Sequence, residues 1–451
     1  MRSENEAKRI LDRVIDLASE SADSIEAALY GARFGITKFS ENVVTQSTDG
    51  NVDSLHLRLI KDGRAGSSST TDLTDHGIRE TLTSLSRTLK HDHHSADNLV
   101  LPNKQEYVGQ ISFDQATESA CAVDRMSLVG RTIIRAHAHQ LISSGYVATS
   151  FGCDPMIAPN FRDPYAVSNS NGLWAYHGAT NAVMSVGMVD QRMHEGWAKA
   201  SSFMLASLNA DGIAEVAAQK ACAPGALKSL VPGRYRCVLE PAAVKALLAV
   251  FAETCGTSLA SQGGSIFSDN LGKQVTSEKI TIRDDFSHED LRGCPYDVQG
   301  VARKVVPLIE KGVPKATVTS FATAKSLQTE ATGHGCFSPE RGFYESAKCV
   351  VMEGGETSLV ELVTDCQQAV LISSLGDIRL LDAKTMTISG TTRDGTYLIR
   401  NGQVIAPVSK MSFVVNLFEL FNQVEELSTA ISCDKMVVPA VRVAEFGLEP
   451  L

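Results

Sequence analysis

The spacing of apolar residues in the first half of the chain alternates between helical and extended periods. Apolar side chains recur every three or four positions over residues 4–20, which predicts a packed amphipathic helix. Residues 24–47 and the alternating Leu55, Leu57 and Leu59 indicate strands. Asp62-Gly63 then suits a tight hairpin turn, because both positions tolerate positive φ. Helices are also predicted over residues 73–89, 125–142 and 211–223, and a meander of strands over 145–210.

Short extended segments dominate the second half. A strand over 235–239 leads into Pro241, which fits the first turn of a helix expected from 242 to about 255. A capping box of Ser358 and Glu361 predicts a helix over 359–366, and another helix is expected over 414–427. Extended segments are expected over residues 279–282, 305–309, 317–319, 347–352, 370–373, 385–389, 396–399 and 404–408. Hairpin turns are expected at Glu310-Lys311-Gly312, Asp394-Gly395 and Asn401-Gly402.

This order of elements predicts an α+β protein of two domains. A chain of 451 residues is too long for one ordinary hydrophobic core. The first domain is expected over residues 1–230 and contains a mixed α/β sheet. The second is expected over residues 231–451 and is rich in antiparallel strands. The boundary is placed near Pro232-Gly233, where turn-forming residues separate a helix from a strand.

Composition narrows the classes of function. The chain is 43% hydrophobic and 21% charged, as in soluble globular proteins, and its formal net charge is −10. No basic run is present, so a nucleic-acid partner is not expected. No apolar run reaches the 18 residues of a membrane span, and the charged N-terminus has no signal-peptide core. The ten cysteines are spread singly without a C-x-x-C pair, so reduced thiols and a cytoplasmic location are expected.

Residues 251–257, F-A-E-T-C-G-T, have the pattern of a metalloprotease helix whose metal ligands have been replaced. Residues 264–275 follow with G-S-I-F-S-D-N-L-G-K-Q-V. Together they resemble the TldD/PmbA family, in which the helix of the catalytic subunit carries H-E-x-x-x-H. The resemblance implies that Ala252 and Thr257 stand in the places of the two histidines and that Glu253 is retained. Alanine has no lone pair and a threonine hydroxyl is a poor zinc ligand, so no metal is expected here.

The resemblance to the TldD/PmbA family extends over nearly the whole chain. Residues 37–46 resemble a T-R-F-A-N-N-x-I-x-Q segment of the family. Residues 57–66 resemble its V-R-V…G-R-x-G hairpin, and residues 167–173 its A-N-S-x-G-L strand. Further similar landmarks are residues 332–335, residues 394–402 and the segment from Cys433 to Pro439. Each landmark is weak by itself, and their common order and spacing carry the resemblance.

The family has two kinds of subunit, and the resemblance is closer to the kind without histidines. The TldD kind carries H-E-x-x-x-H and a C-terminal cysteine as metal ligands. The TldE (PmbA) kind is its partner, and the pair forms a cytoplasmic metalloprotease that cuts unfolded peptides. The resemblance therefore implies a chain without a cofactor and a TldD-like partner that holds zinc or a similar divalent metal. The expected substrate is an extended peptide, bound by strand addition. The family was earlier described as a modulator of DNA gyrase.

Four residues remain candidates for chemistry. Glu253 is either a retained general base or a residue of the helix face. Cys255 is either a nucleophile, which would need a nearby base and an accessible thiolate, or an inert buried cysteine. His334 either acts chemically or shapes its glycine-flanked loop. Cys433 stands where the family's C-terminal cysteine ligand lies; a lone thiolate does not hold zinc tightly, so a small buried side chain is the alternative.

Two other functions stay open. The chain could be a homodimeric, metal-independent hydrolase of amides or peptides in a specialised biosynthetic pathway, with a site rebuilt from those four residues. It could also be a non-enzymatic scaffold or regulator. Nucleotide cofactors are not indicated, because no G-x-G-x-x-G segment follows a strand and no Walker loop is present.

Overall fold

The computed structural model describes residues 2–19, 22–91, 100–109, 112–152, 163–338 and 341–451. The helices in these ranges are α1 (Glu4–Ala18), α2 (Asp75–His91), α3 (Gln115–Glu118), α4 (Ala122–Ala138), α5 (Ala210–Ala221), α6 (Pro241–Ala252), α7 (Thr257–Ser261), α8 (Phe267–Asn270), α9 (Phe321–Leu327), α10 (Leu359–Thr364) and α11 (Leu417–Asn422). A 3-10 turn lies at Leu205–Ser207.

The strands of the first half are β1 (Ser24–Ser40), β2 (Val43–Lys61), β3 (Arg64–Thr70), β4 (Ile142–Gly152), β5 (Ala166–Asn169), β6 (Trp174–Tyr176), β7 (Thr180–Val189) and β8 (Glu195–Ser202). Those of the second half are β9 (Gly233–Leu239), β10 (Ile282–Asp284), β11 (Val306–Glu310), β12 (Val313–Pro314), β13 (Gly335–Ser338), β14 (Gly342–Glu345), β15 (Val350–Met352), β16 (Gln368–Asp382), β17 (Thr387–Arg400), β18 (Gln403–Pro407), β19 (Met411–Asn416), β20 (Val424–Leu427), β21 (Ile431–Cys433), β22 (Met436–Val438) and β23 (Val441–Pro450).

The first half forms one eight-stranded sheet in the order β3-β2-β1-β4-β7-β8, with β5 and β6 attached to β1. Its main strands pair antiparallel with their neighbours. Helices α1 and α2 bury Leu11, Leu82 and their neighbours against Leu55, Leu57 and Leu59, the alternating residues of β2. The alternation places these leucines on one face of the strand, and this is the face that α1 and α2 cover, as the sequence pattern predicts.

The predicted hairpin turn at Asp62-Gly63 is confirmed. It joins β2 to β3, and φ is +48° at Asp62 and +74° at Gly63. Both values lie in the left-handed region, which glycine and aspartate reach at lower cost than other residues. The turn fixes the register of β3 on β2, so that Ser67 lies opposite Arg58 and Ser69 opposite His56.

The second half contains a six-stranded sheet, a seven-stranded sheet and the two-stranded hairpin β13–β14. Helix α6 packs against β16 at the centre of the large apolar cluster of this half. Five of its residues are fully buried, which explains why the sequence reads as almost continuously apolar: Ala243, Val244, Leu247, Leu248 and Phe251. The α+β class with antiparallel sheets is thereby confirmed.

Several predicted elements differ from the structure. Helix α6 ends at Ala252 and not near Cys255, so the helix expected through residues 251–257 is interrupted. The helix expected over 414–427 is instead a strand, a short helix and a strand. Asp394-Gly395 lies within the long strand β17, where φ is positive at both residues. Residues 317–319 contribute only an isolated bridge between Val318 and Gly256.

The two halves are joined by buried polar contacts. The Tyr296 hydroxyl donates to the Tyr165 carbonyl at 2.9 Å, and Arg303 pairs with Asp163 at 2.9 Å. The strands of the first sheet all precede residue 203 and those of the other sheets all follow residue 232, as a two-domain organisation requires. The exact boundary between 230 and 231 stays a prediction. Within the described ranges, no helix combines the length and the apolarity that crossing a membrane requires.

Candidate functional site

The end of α6 is the place where the sequence predicted a lost metal site. Ala252 is the last helical residue, and its methyl group is buried. The carbonyl of Ala252 accepts hydrogen bonds from Ala347 N at 3.1 Å and from Ser346 Oγ at 3.3 Å. Position 252 therefore joins α6 to the segment before β15 and has no side-chain donor for a metal.

Thr257 begins the next short helix and its hydroxyl is engaged. Its Oγ1 lies 2.6 Å from Thr317 Oγ1 and 2.6 Å from Thr319 Oγ1. The backbone N–H of Thr257 donates to the Val318 carbonyl at 2.9 Å. The hydroxyl thus belongs to a three-threonine cluster that holds α7 against residues 317–319.

These residues do not fit a metal ion. Ala252 has no lone pair on its side chain, and Thr257 Oγ1 is already shared by two hydroxyl groups. Across the described ranges, no group of three or more His, Cys, Asp and Glu side chains is placed to hold a metal. The helix break at 253–256 also separates the two positions that one helical face would have to bring together.

Glu253 is the C-terminal cap residue of α6 and points to the surface. Its Oε2 lies 3.0 Å from Arg341 Nη2, and the two side chains are 27% and 56% exposed. Ion pairs at such exposure contribute little stability, about 0–1 kcal/mol. A carboxylate that contacts an arginine and water is accessible enough to act as a base, but neither Ala252 nor Thr257 beside it can hold a metal that would activate a water molecule.

Cys255 is fully buried in the core around α6. Its Sγ donates to the Phe251 carbonyl at 3.3 Å. Burial raises the pKa of the thiol well above its ordinary value, and the charge of Asp284 raises it further. A buried thiol with a raised pKa is a poor nucleophile, so the geometry favours the inert alternative.

His334 forms a buried pair with Asp284, and both side chains are fully inaccessible. His334 Nε2 lies 3.0 Å from Asp284 Oδ1, and His334 Nδ1 lies 3.0 Å from Thr332 Oγ1. The other carboxylate oxygen of Asp284 accepts from the backbone N–H groups of Lys348 and Cys349 at 2.6 and 2.8 Å. Burial alone would raise the pKa of Asp284, but the His334 charge and these hydrogen bonds lower it to about 2. This network joins β10 to β13 and β15, which matches the loop-shaping role.

Cys433 lies at the end of β21 and is half-buried. Burial raises the pKa of its thiol to about 11, with a contribution from the neighbouring Asp434. Asp434 accepts charge-assisted hydrogen bonds from Lys199 at 2.6 Å and from Lys245 at 2.9 Å. Cys433 lines a groove of about 410 Å³ together with Pro241 and Ala242 at the start of α6. Cys433 therefore borders a groove between the two halves.

This groove was not found from the sequence. Strand β8 is one edge of the eight-stranded sheet, and β21 is one edge of the six-stranded sheet. The groove of about 410 Å³ and a second cavity of about 160 Å³ are both lined by residues of these two edges, with Ser201, Ser432 and Asp434 common to both. Strand edges from separate domains meet only in the folded chain, so no local pattern marks them.

The smaller cavity is rich in buried charges. Asp163 lines it and is paired with Arg303, with Lys348, Lys435 and His177 close by. Burial opposes ionisation of Asp163, but the positive charges of Arg303, Lys348 and Lys435 lower its pKa below the ordinary value. Burial also lowers the pKa of His177 to about 4. At neutral pH this cavity therefore presents a neutral imidazole beside a compensated carboxylate.

Comparison with known families identifies two matching models. The model described as PmbA/TldA metallopeptidase C-terminal domain matches residues 232–449. The model described as PmbA/TldA metallopeptidase domain 1 matches residues 35–89. Both belong to one family, and together they span more than half of the chain.

Curated relatives include proteins named as metalloproteases. A metalloprotease of Methanocaldococcus jannaschii is 28% identical over 178 residues, which are 38% of this chain and 38% of the relative. The metalloprotease PmbA of Escherichia coli is 22% identical over 245 residues, or 49% of this chain and 50% of the relative. The chain thus aligns with half or less of the length of these relatives.

Solved structures match over almost the full length. TldE of Thermococcus kodakarensis has a TM-score of 0.85 at 20% identity and covers 98% of this chain and 100% of its own. A Thermotoga maritima protein described as a proposed modulator of a DNA gyrase has a TM-score of 0.80 at 17% identity, with 98% and 99% covered. At these identities the matches establish a shared fold.

Proposed function

Because the chain belongs to the PmbA/TldD metallopeptidase family, we propose that it acts as the metal-free, TldE-like subunit of a two-subunit peptidase. In this proposal a TldD-like relative carries the H-E-x-x-x-H metal site and the chemistry. The observation that carries it is the end of α6, where Ala252 has no donor atom and Thr257 Oγ1 is bound at 2.6 Å by two other threonines. A chain that has the fold of the family but not its metal ligands can still bind and position a peptide. We place both subunits of this peptidase in the cytoplasm.

The groove between β8 and β21 supports a role in holding an extended peptide. An edge strand has one row of free backbone groups and can accept another strand. Cys433 and Met436 close a two-residue turn between β21 and β22, a position where the paired residues exchange backbone hydrogen bonds. The next residue, Ser432, then directs its N–H and C=O away from β22. Ser432 lines both the groove and the smaller cavity.

The first experiment is a native mass spectrum of the chain alone and after addition of zinc, combined with a peptide-cleavage assay. We expect a chain without bound metal and without cleavage of an unstructured peptide. Cleavage should appear when a relative that carries H-E-x-x-x-H is added. A chain that binds about one metal ion tightly would overturn the proposal. Cleavage of peptides by the metal-free chain alone would also overturn it and would favour the homodimeric, metal-independent hydrolase.

A second experiment tests the groove. Ser432→Pro removes the outward N–H from β21, and Ser432→Ala is the matched control because it keeps that N–H. We expect Ser432→Pro to weaken peptide binding to the two-subunit complex at least tenfold, and Ser432→Ala to leave it within twofold. Equal binding by both variants, with native circular dichroism, would exclude strand addition at β21.

A further inference from the structure

A third cavity lies on the opposite side of β1 and β2 from helices α1 and α2. It has a volume of about 350 Å³ and shares no lining residue with the groove between β8 and β21. Its floor is the three-stranded part of the first sheet, and its opposite wall comes from the second half through Val298, Phe337 and Phe343. The strand register therefore decides which side chains face it.

The floor carries two cross-strand rows. Glu26 on β1 lies opposite Arg58 on β2, and Arg58 lies opposite Ser67 on β3. The neighbouring row contains Ala28, His56 and Ser69. Because alternate residues of a strand point to one face, both rows face the cavity, while the intervening leucines pack under the helices.

Aromatic rings form both sides of the cavity. The rings of Tyr30 and His56 lie 4.5 Å apart between centroids and are inclined by 48°. On the opposite wall, the rings of Phe337 and Phe343 lie 5.1 Å apart and are inclined by 56°. Arg58 places its guanidinium 5.1 Å from the centroid of the Phe343 ring. Such walls favour an aromatic guest, because offset and edge-to-face contacts stabilise ring pairs beyond the burial of area.

The Glu26 carboxylate at the base of the cavity and the neighbouring Gln299 amide oxygen have few hydrogen-bond donors among the described residues. Glu26 is 7% exposed, and among the described residues its carboxylate accepts a hydrogen bond from Gln299 Nε2 at 3.3 Å. Gln299 is fully buried, and its Oε1 has no hydrogen-bond partner among the described residues. A buried acceptor without a donor costs about 1–3 kcal/mol. A donor brought in by a ligand would therefore bind where the protein leaves a carboxylate incompletely satisfied.

We propose that this cavity binds a planar aromatic ring that carries an O–H or N–H donor at its edge. The ring lies between the Tyr30–His56 pair and the Phe337–Phe343 pair, and its donor bonds to the Glu26 carboxylate. Such a ring occurs in free phenols and indoles and in the side chains of tyrosine and tryptophan. This binding site is separate from the peptide groove and does not depend on the proposed function.

The test uses probe pairs that differ only in the donor. Binding of p-cresol and of toluene to the full chain is measured at pH 8 by ligand-observed NMR, and indole is measured beside them. We expect p-cresol and indole to bind, and toluene to bind at least tenfold more weakly. N-acetyltyrosinamide separates the two sources: its binding indicates a peptide side chain, and binding of the free rings alone indicates a small molecule.

Three variants locate the binding. Glu26→Gln removes the charge of the carboxylate and keeps the shape of the side chain nearly constant. Phe343→Ala removes a ring that is 41% exposed. Both variants should therefore fold. We expect each to weaken p-cresol binding at least fivefold. Glu80→Gln, at a side chain that is 73% exposed on α2, is the matched control and should change nothing. Absence of binding by every ring, equal binding of toluene, or p-cresol binding unchanged in both cavity variants would overturn the proposal.

Discussion

At the scale of single residues, the replaced metal positions are the most informative, and their neighbours could not be read from the sequence. The resemblance pointed to Ala252, Glu253 and Thr257, which lie at the end of α6 and the start of α7. The partners of Thr257 are 60 and 62 positions away, and the partner of Glu253 is 88 positions away. Such long-range contacts form only when separate elements pack. The sequence could therefore suggest which positions correspond to metal ligands of the family, and only the fold shows which contacts the residues at those positions make.

Glu26 allows a prediction of pH dependence. Burial raises its pKa from 4.5 to about 7, against the opposing charge of Arg58 and the hydrogen bond from Gln299, and Asp297 adds to the increase. The folded chain therefore holds a proton that the unfolded chain releases between pH 4.5 and 7. Stability falls with rising pH in this window, because the folded state binds more protons than the unfolded state.

We expect Glu26→Gln to increase the free energy of unfolding at pH 8 by about 3 kcal/mol and to change it little at pH 4.5. The new amide can also donate to Gln299 Oε1. Urea unfolding at the two pH values measures the difference, with Glu80→Gln as the control on an exposed carboxylate. A constant difference at both pH values would show that the carboxyl group is not responsible.

At the scale of elements, sequence periodicity identified the long regular segments and missed the breaks. The strands up to residue 61 and the helices α1, α2, α4 and α5 follow their patterns within a few residues. Residues 414–427 have a helical spacing of apolar groups, yet Asn416 accepts from Phe418 N and Glu419 N and starts a helix of only six residues. Asparagine is a favoured N-cap residue, so Asn416 did mark the start of this helix in the sequence. The prediction gave more weight to the helical spacing of apolar residues over 414–427 and therefore placed the start of the helix too early and its end too late.

Glu345 shows how elements separated in sequence depend on one carboxylate. It is 5% exposed, and its two oxygens accept from Ser258 N at 2.7 Å and from Ser320 N at 2.9 Å. These donors lie at the first turn of α7 and at the cap of α9. A side chain at Gly256 would meet Glu345 Cβ at 2.9 Å, which explains the glycine there.

We expect Glu345→Gln to lower the free energy of unfolding by about 1–3 kcal/mol, because an amide offers one acceptor oxygen where two N–H donors are buried. The matched control is Glu361→Gln, which alters the exposed capping box of α10 and should cost less than about 1 kcal/mol. Urea titrations of both variants provide the measurement. If Glu345→Gln lowers the free energy of unfolding by no more than Glu361→Gln does, the hydrogen bonds from Ser258 and Ser320 to Glu345 do not contribute to stability.

At the scale of the whole molecule, the two halves share polar contacts that are shielded from water. Arg303 is fully buried and pairs with Asp163, Tyr296 donates to the Tyr165 carbonyl, and Tyr397 donates to the Glu195 carbonyl at 2.7 Å. Ala28, Val167 and Leu173 of the first half also pack on Tyr296 of the second. Chain length and the order of the predicted elements indicated two domains, but nothing in the sequence predicted how tightly they are joined.

These shared contacts predict that the two halves unfold together. Chains with several domains commonly unfold in several steps, yet separation here would leave the Arg303 guanidinium and the Asp163 carboxylate without their partners. We expect one calorimetric transition with a calorimetric enthalpy close to the van't Hoff enthalpy. Arg303→Met should destabilise the chain by about 3–5 kcal/mol because it removes the buried charge that pairs with Asp163. Arg393→Met, at a side chain that is 63% exposed and pairs with Asp394, should cost less than about 1 kcal/mol. Two resolved transitions in the unaltered chain would show that each half is stable without the other and that the groove between β8 and β21 can open without unfolding.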